Sequence, residues 1–381
     1  MKFFSTQFAL SALSIAMLGA MNPALAAEDE IPEGYHRMAD GTLMANSPSS
    51  ATAPEGFHLM PDGTLMPNSG GGGGSLDHSG HGAHQHGAGM FMLDYKFERM
   101  YMEGLLDTTN SISPRQIVAP GSAYGFMMTP VDMAMNMHML MAMYGVTDKL
   151  MFMVMAHSMS NSMTMLSSDG TKSTMSTDGM GDTIISGMYK GPYKLTYNLG
   201  LSIPTGSIDE SGPMTHNASH TEQNVKYPYG MQLGSGTYDI KPGISYAVDV
   251  GQFGLGASYE YTARLGENKN DYKLGDVMKL DGYAKYNISP MFNTSVKLAY
   301  TTIGQIEGAD ADIDKNKNMS PAADAETYGG NHLDLGISLQ YRPAGGVYGI
   351  GLDFVKPLYQ DLWGPQMETK WMSGLTLSSM F

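Results

Sequence analysis

No cysteine occurs among the 381 residues. Disulfides, CxxC redox chemistry, thiolate metal sites and a lipid anchor on cysteine are therefore excluded. Charge is scarce as well. Only 15% of residues are Asp, Glu, Lys or Arg, against about 25% in an ordinary soluble domain, which points away from a cytosolic enzyme. The charge present is acidic, 37 acids against 22 bases. No basic field exists to neutralise phosphates, which argues against nucleic acid as a partner. Past residue 27 there is no run of ~18 apolar residues, so no transmembrane helix is available. The G-x-S-x-G, HExxH and P-loop motifs are missing too, and no Ser/His pair marks a hydrolase. The chain reads as a non-enzyme.

What is abundant is methionine (36), glycine (47) and tyrosine (22). Residues 1–26 carry the pattern of an export signal: Lys2, an uncharged apolar stretch from Phe8 to Leu18, and the small-x-small site Ala24-Leu25-Ala26. The segment 27–89 then reads as a flexible periplasmic extension. It contains a repeat, PEGYHRMADGTLMANS at 32–47 and PEGFHLMPDGTLMPNS at 54–69, identical at 12 of 16 positions with a period of 22. Each copy has an Asp-Gly turn signal between short segments, which predicts a hairpin. Such hairpins would draw His36, Met38 and Met44 together in the first copy, and His58, Met60 and Met66 in the second. Gly70–Gly74 form a tether, followed by His78, His81, His84 and His86. Imidazole suits Cu(II), Ni or Zn, and thioether suits Cu(I) or Ag(I). The bland alternatives are an adhesive hairpin and a polar linker.

From about residue 90 the chain becomes a series of segments with period-2 alternation, the signature of membrane β-strands. Strands are expected at 90–102, 131–144, 149–160, 182–190, 193–203, 237–248, 251–264, 276–288, 291–303, 331–342, 346–356 and 368–381, twelve in all. The connections alternate between short and long, as in bacterial outer-membrane barrels, whose periplasmic turns are short. That alternation puts both ends of the chain in the periplasm. The fold expected is an all-β outer-membrane barrel of about 12 antiparallel strands over 90–381, with outer-membrane lipid around it and an alternating last strand ending in Phe381. Loop residues Met214, His216 and His220 read as part of a polar loop, and the Asp310-Asp312-Asp314 stretch as a solvated acidic loop, since it lacks the glycine and closing glutamate of a Ca²⁺ loop.

Two segments carry methionine at strand period. Met133, Met135, Met137, Met139, Met141 and Met143 occupy alternate positions of one; Met151, Met153, Met155 and Met159, with His157 in phase, occupy those of the next. In the second segment Leu150, Phe152, Val154 and Ala156 should face lipid, which turns Met151, Met153, Met155 and His157 to the lumen. In the first segment the phase is ambiguous. Asn136 and His138 argue that their own face is inward, whereas Leu140 and Tyr144 on that same face argue the opposite. A Met-lined lumen would be a soft-metal path or an adaptable apolar wall; Met on the outside would be only a hydrophobe of flexible shape.

The blocks LTYNLGLSIPTGSID at 195–209, YPYGMQLGSGTYDIKPGISY at 227–246, RLGENKNDYKLGD at 264–276 and PLYQDLWGPQME at 357–368, with the Met-rich 132–150, resemble the outer-membrane transporters grouped with the meta-pathway of phenol degradation. The resemblance covers roughly 90–381 and implies a barrel with a transport role. The heavy Met and His content departs from what a pore for aromatic compounds needs. The expectation drawn from the residues is a barrel that handles copper or silver, with the tail raising the local concentration of Cu(I), Cu(II) or Ag(I) and passing it to or from periplasmic metal-handling proteins. The alternatives are a diffusion pore for small apolar or aromatic compounds and a structural protein with a plugged barrel.

Overall fold

The computed structural model describes residues 87–215, 222–343 and 346–381, together with the backbone of four short strands nearer the N-terminus. The export signal, Met38, Met60, His78, His81, His84, His86, His216 and His220 lie outside the described residues. The chain divides into two units, Met1–Gly72 and Gly73–Phe381. In the first, β1 (Tyr35–Arg37) pairs antiparallel with β2 (Leu43–Ala45), and β3 (Phe57–Leu59) with β4 (Leu65–Pro67). Each repeat thus pairs two short antiparallel strands, as its sequence predicts, and the Asp-Gly dipeptides between them lie outside the described residues. His36 stands opposite Met44 in one and His58 opposite Met66 in the other.

The second unit is a closed antiparallel barrel. Its ring runs through β5 (Phe91–Thr108), β7 (Met128–Thr147), β8 (Leu150–Ser167), β10 (Thr183–Lys190), β11 (Leu195–Ile203), β14 (Tyr238–Val250), β15 (Phe253–Leu265), β17 (Val277–Asn287), β18 (Phe292–Ile303), β20 (Gly330–Tyr341) and β21 (Tyr348–Met380). Closure comes from β21 on β5 and from β8 on β10. Eleven strands are counted in this way, but β21 makes two passes. Residues 350–362 pair with β20 and residues 362–380 with β5, both antiparallel. Met380 N–H reaches back to Val347 O at 2.8 Å. An unbroken strand of 33 residues would be about 110 Å long at ~3.3 Å per residue, several times a bilayer's thickness. The wall is therefore crossed twelve times, at the places the alternation predicts.

The outward faces are apolar and exposed: Leu93, Leu140, Phe152, Val154, Leu199, Ile244, Leu255, Val296, Leu298, Ile337 and Leu352 among them. So continuous an apolar belt fits lipid rather than water. Aromatic pairs ring the short-turn end, Phe91–Phe381 at 6.1 Å, Phe253–Tyr286 at 5.0 Å and Phe292–Tyr341 at 4.8 Å between ring centroids. Tyr101–Trp371, at 5.9 Å, stands toward the other end. Both chain ends of the barrel lie with the short turns, since Phe91 and Phe381 exchange backbone hydrogen bonds.

Three strands run well past the ~9–11 residues a bilayer requires: β5 (18 residues), β7 (20) and β8 (18). They project at the long-loop end, where the expected loop 161–181 turns out to be strand. There β9 (Lys172–Met180) pairs with the upper half of β8, Ser158–Leu166, while β10 pairs with the lower half, Leu150–Met155. The other long connections fold into a cap. It holds β6 (Asn110–Ile112), the helix α1 (Pro114–Val118), the hairpin β12 (Ser211–Thr215)–β13 (Glu222–Lys226), the pair β16 (Tyr272–Lys273)–β19 (Glu307–Gly308), and the short helix α2 (Ala311–Asp314). Tyr229, Tyr272, Ile306, Ile313, Ala323 and Ala325 pack together as its core.

Candidate lumen site

Strand alternation decides which side chains meet inside the barrel. Register resolves the ambiguous phase of β7. Met133, Met141 and Met143 are buried, while Leu140 and Tyr144 are exposed. The whole odd-numbered ladder thus faces the lumen. Asn136 and His138, whose polarity suggested an inward face, point outward instead. Arg99 Nη1 donates to the Asn136 side chain at 3.4 Å, Tyr95 shares a 2.7 Å hydrogen bond with His138 Nδ1, and the Phe97 ring lies 5.0 Å from that imidazole. These polar groups satisfy one another across β5 and β7, so the outer face carries them without facing water.

On β8 the sequence expectation holds. Every inward position from Met133 to Met143 and from Met151 to Met165 is methionine, apart from His157 and Asn161. Across the β7–β8 pairing Met143 faces Met153, Met141 faces Met155, Met139 faces His157, Met137 faces Met159 and Met133 faces Met163. β5 extends the wall with Met92, Met100 and Met102, β9 with Met175, and β10 with Met188. The ladder packs into two buried clusters. The one nearer the short turns contains Met92, Met141, Met143, Met151, Met153 and Met188, with Met155 against it. The one under the cap contains Met128, Met133, Met163, Met165 and Met175, closed by Met214, Tyr227 and Met231 of the loop after β11. Met214, expected in a polar loop, is thus part of an apolar lid.

The candidate ligands of β8 do not converge as a set. From Met151 to His157 is six residues, about 20 Å of strand at ~3.3 Å each. Met151 and Met153 are instead packed among other thioethers. His157 meets its neighbours across the strand pair, in the stretch between the two buried clusters, where Met137, Met139, Met155 and Met159 are only half-buried. It also stands where the partner of β8 changes from β10 to β9, and Gly181 N–H donates to its carbonyl at 2.9 Å.

The facing wall is polar. Inward positions of β14, β15 and β17 carry ion pairs: Lys241 with Glu260 at 3.4 Å, Lys285 with Asp249 at 3.1 Å and Arg264 with Asp239 between strands, and Lys279 with Asp281 at 3.8 Å along β17. Lys96 of β5, held by Glu98 at 2.8 Å and Asp353 at 3.9 Å, marks the boundary of the methionine face. The lumen therefore has one thioether side and one charged side. Among the described residues, no three His, Asp or Glu side chains converge as a metal-holding group.

The cap ties its loops to this wall. Asp182 accepts hydrogen bonds from Gly206 N–H at 3.0 Å, Ser235 N–H at 2.8 Å and Ser235 Oγ at 2.6 Å. Further out, Asp209 accepts from Lys226 at 2.8 Å, from Lys269 and from Asn270 at 2.9 Å. Hydrogen bonds from Lys226, Lys269 and Asn270 hold its carboxyl well below the ordinary range. Asp310, expected in a solvated acidic loop, is buried: it caps α2 and pairs with Lys226 at 2.7 Å. Burial would lower the Lys226 ammonium, but its two carboxylate partners overcome this and raise it.

No family model and no curated protein sequence matches the chain. Among solved structures it is similar to an outer-membrane channel from Pseudomonas putida F1, with a TM-score of 0.52 at 12% identity over 81% of this chain and 100% of that one. Looser matches are the β domain of the Bordetella autotransporter BrkA (TM-score 0.44, 8% identity, 77% and 100% covered) and the P. putida toluene transporter TodX (0.39, 9%, 77% and 90%). The first likeness shows the fold, an outer-membrane β-barrel, as the alternation and the lipid-facing belt require.

Proposed function

We propose that the chain is an outer-membrane channel admitting small, uncharged apolar or aromatic molecules along its methionine wall, with the short turns and the N-terminal extension in the periplasm. The observation that carries this reading is the thioether face, unbroken on β7 from Met143 to Met133 and interrupted on β8, from Met151 near the short turns to Met165 under the cap, only by His157 and Asn161. Thioethers are apolar, unbranched and polarizable, and pack well against aromatic rings. A lumen for sugars or ions alone would have no use for such a face, and the ion-paired wall opposite would keep water in the remaining space. Similarity of fold to an outer-membrane channel supports the reading. So does loop length, because bacterial barrels keep their short turns in the periplasm.

The test is swelling of proteoliposomes in uncharged aromatic glycosides, which cross lipid slowly, with a non-aromatic disaccharide of similar size as reference. The aromatic solute is expected to enter faster, and Met137→Ser with Met139→Ser and Met159→Ser to erase that preference. Entry of neither solute would replace the channel with a plugged structural barrel. Equal entry of both would leave an unselective pore.

A further inference from the structure

Halfway along the methionine wall one imidazole interrupts the thioethers. His157 stands opposite Met139, with Met155 and Met159 two residues away on the same face of its own strand. Directly opposed side chains on paired strands have Cβ atoms about 4.5–5.5 Å apart, and same-face neighbours along a strand about 7 Å. Three rotatable bonds let each thioether close that gap. The imidazole Nδ1 is buried and has no hydrogen-bond partner, which is unusual for a buried polar nitrogen. The ring also has a fixed seat: a Cβ at Gly181 would lie 2.0 Å from its Nε2. A buried nitrogen without a partner, on the same wall and in register with thioethers, suits a soft cation. A hard cation finds no carboxylate cluster among the described residues, whereas Cu(I) and Ag(I) favour thioether and imidazole and ask neither to lose a proton. Lys96 faces Met139 across β5, but its charge is matched by Glu98 and Asp353.

We propose that His157 with the thioethers of Met139, Met155 and Met159 forms a binding site for a monovalent soft cation, Cu(I) or Ag(I), in the lumen. The site shares the wall of the proposed channel but does not depend on the identity of the solute, since it is read by ion binding and the channel by flux.

The test is titration of the detergent-folded full chain with Ag(I), scored as equivalents bound in competition with a chromogenic chelator. The extension contributes equally to all variants, so differences report the lumen. His157→Phe with Met139→Leu is expected to bind one equivalent fewer, while Met133→Leu with Met163→Leu, in the buried cluster under the cap, matches the parent. Gly181→Ala removes no ligand, yet should weaken the same equivalent at least tenfold by displacing the ring. Unmodified protein provides a measurement that needs no variant. Ag(I), but not Zn(II), should slow peroxide oxidation of Met139, Met155 and Met159 several-fold, resolved by peptide mass spectrometry. Equal stoichiometry in the His157 variant and the parent, or oxidation of these three unaffected by Ag(I), would overturn the site.

Discussion

At the scale of single residues, the lumen is built by glycines as much as by the side chains they accommodate. Gly256 on β15 faces Tyr283 on β17, and a Cβ there would lie 2.3 Å from the Tyr283 ring. The missing side chain lets the ring lie flat against the wall. Gly256→Ala should therefore cost about 1–3 kcal/mol, the usual penalty of overpacking. Urea unfolding of the refolded barrel would measure it, and adding Tyr283→Ala should return most of the loss. Failure of that second change to compensate would place the strain elsewhere. A different constraint holds Gly251, in the two-residue turn between β14 and β15, whose φ of +62° suits a residue without a Cβ.

The elements of the cap are joined by charged and hydroxyl groups as well as by their apolar core. Asp209 joins the loop after β11 to the one after β15 through Lys226, Lys269 and Asn270. Its carboxyl is depressed in the fold, so its contribution is present above the ordinary value of 3.8 and is lost as pH falls below it. Lys226 is raised, so its contribution is present below 10.5 and fades as pH rises beyond that. Both charges are in place at neutral pH. Asp209 is about half exposed, with 47% of its side-chain surface accessible, so solvent screening keeps its effect modest. Pepsin cleavage in the loop 204–237 should accelerate as pH drops from 4 toward 2 in the parent. In Asp209→Asn the loop should be loose from the start and the pH response flat; an unchanged response would remove Asp209 from the clasp. Tyr328 offers a second test. Its hydroxyl donates to Ala322 O at 2.7 Å and accepts from Gly230 N–H at 3.2 Å. Tyr328→Phe should destabilise the cap by about 1–3 kcal/mol, seen as faster amide exchange at 228–232 with the barrel strands unaffected.

For the whole molecule, a barrel closed on itself leaves no edge to protect and needs nothing from the first unit for closure. Among the described residues, its N-terminal anchors are Ala88, whose N–H reaches Asp148 at 3.0 Å, and Gly89, bonded to Gly145 O at 2.7 Å. Deleting residues 28–86 should leave folding and solute entry as in the full chain. The same deletion should lower the number of Ag(I) or Cu(I) equivalents if His36, Met44, His58 and Met66 bind metal, as their cross-strand pairing in the hairpins allows. Loss of solute entry would instead make the extension part of the pore.

The sequence alone was enough to place the barrel crossings to within a few residues over most of the wall, because a lipid-facing strand writes its period locally, one side chain at a time. The difference between short and long connections was visible for the same reason, and the Asp-Gly turns revealed the hairpins of the repeat. The extensions of β5, β7 and β8 and the strand β9 were missed, since beyond the bilayer the outward face need not be apolar and the alternation weakens. The phase of the first methionine ladder was undecidable locally, with Asn136 and His138 on the same face as Leu140 and Tyr144. Pairing with β5 settled it by giving those polar groups Arg99 and Tyr95 as partners on the outer surface. Only the tertiary structure set His157 opposite Met139 rather than in a site with Met151 and Met153, and only it folded Asp310 and Met214 into the cap. Register, closure and loop packing join residues far apart in the chain, so no local pattern can encode them.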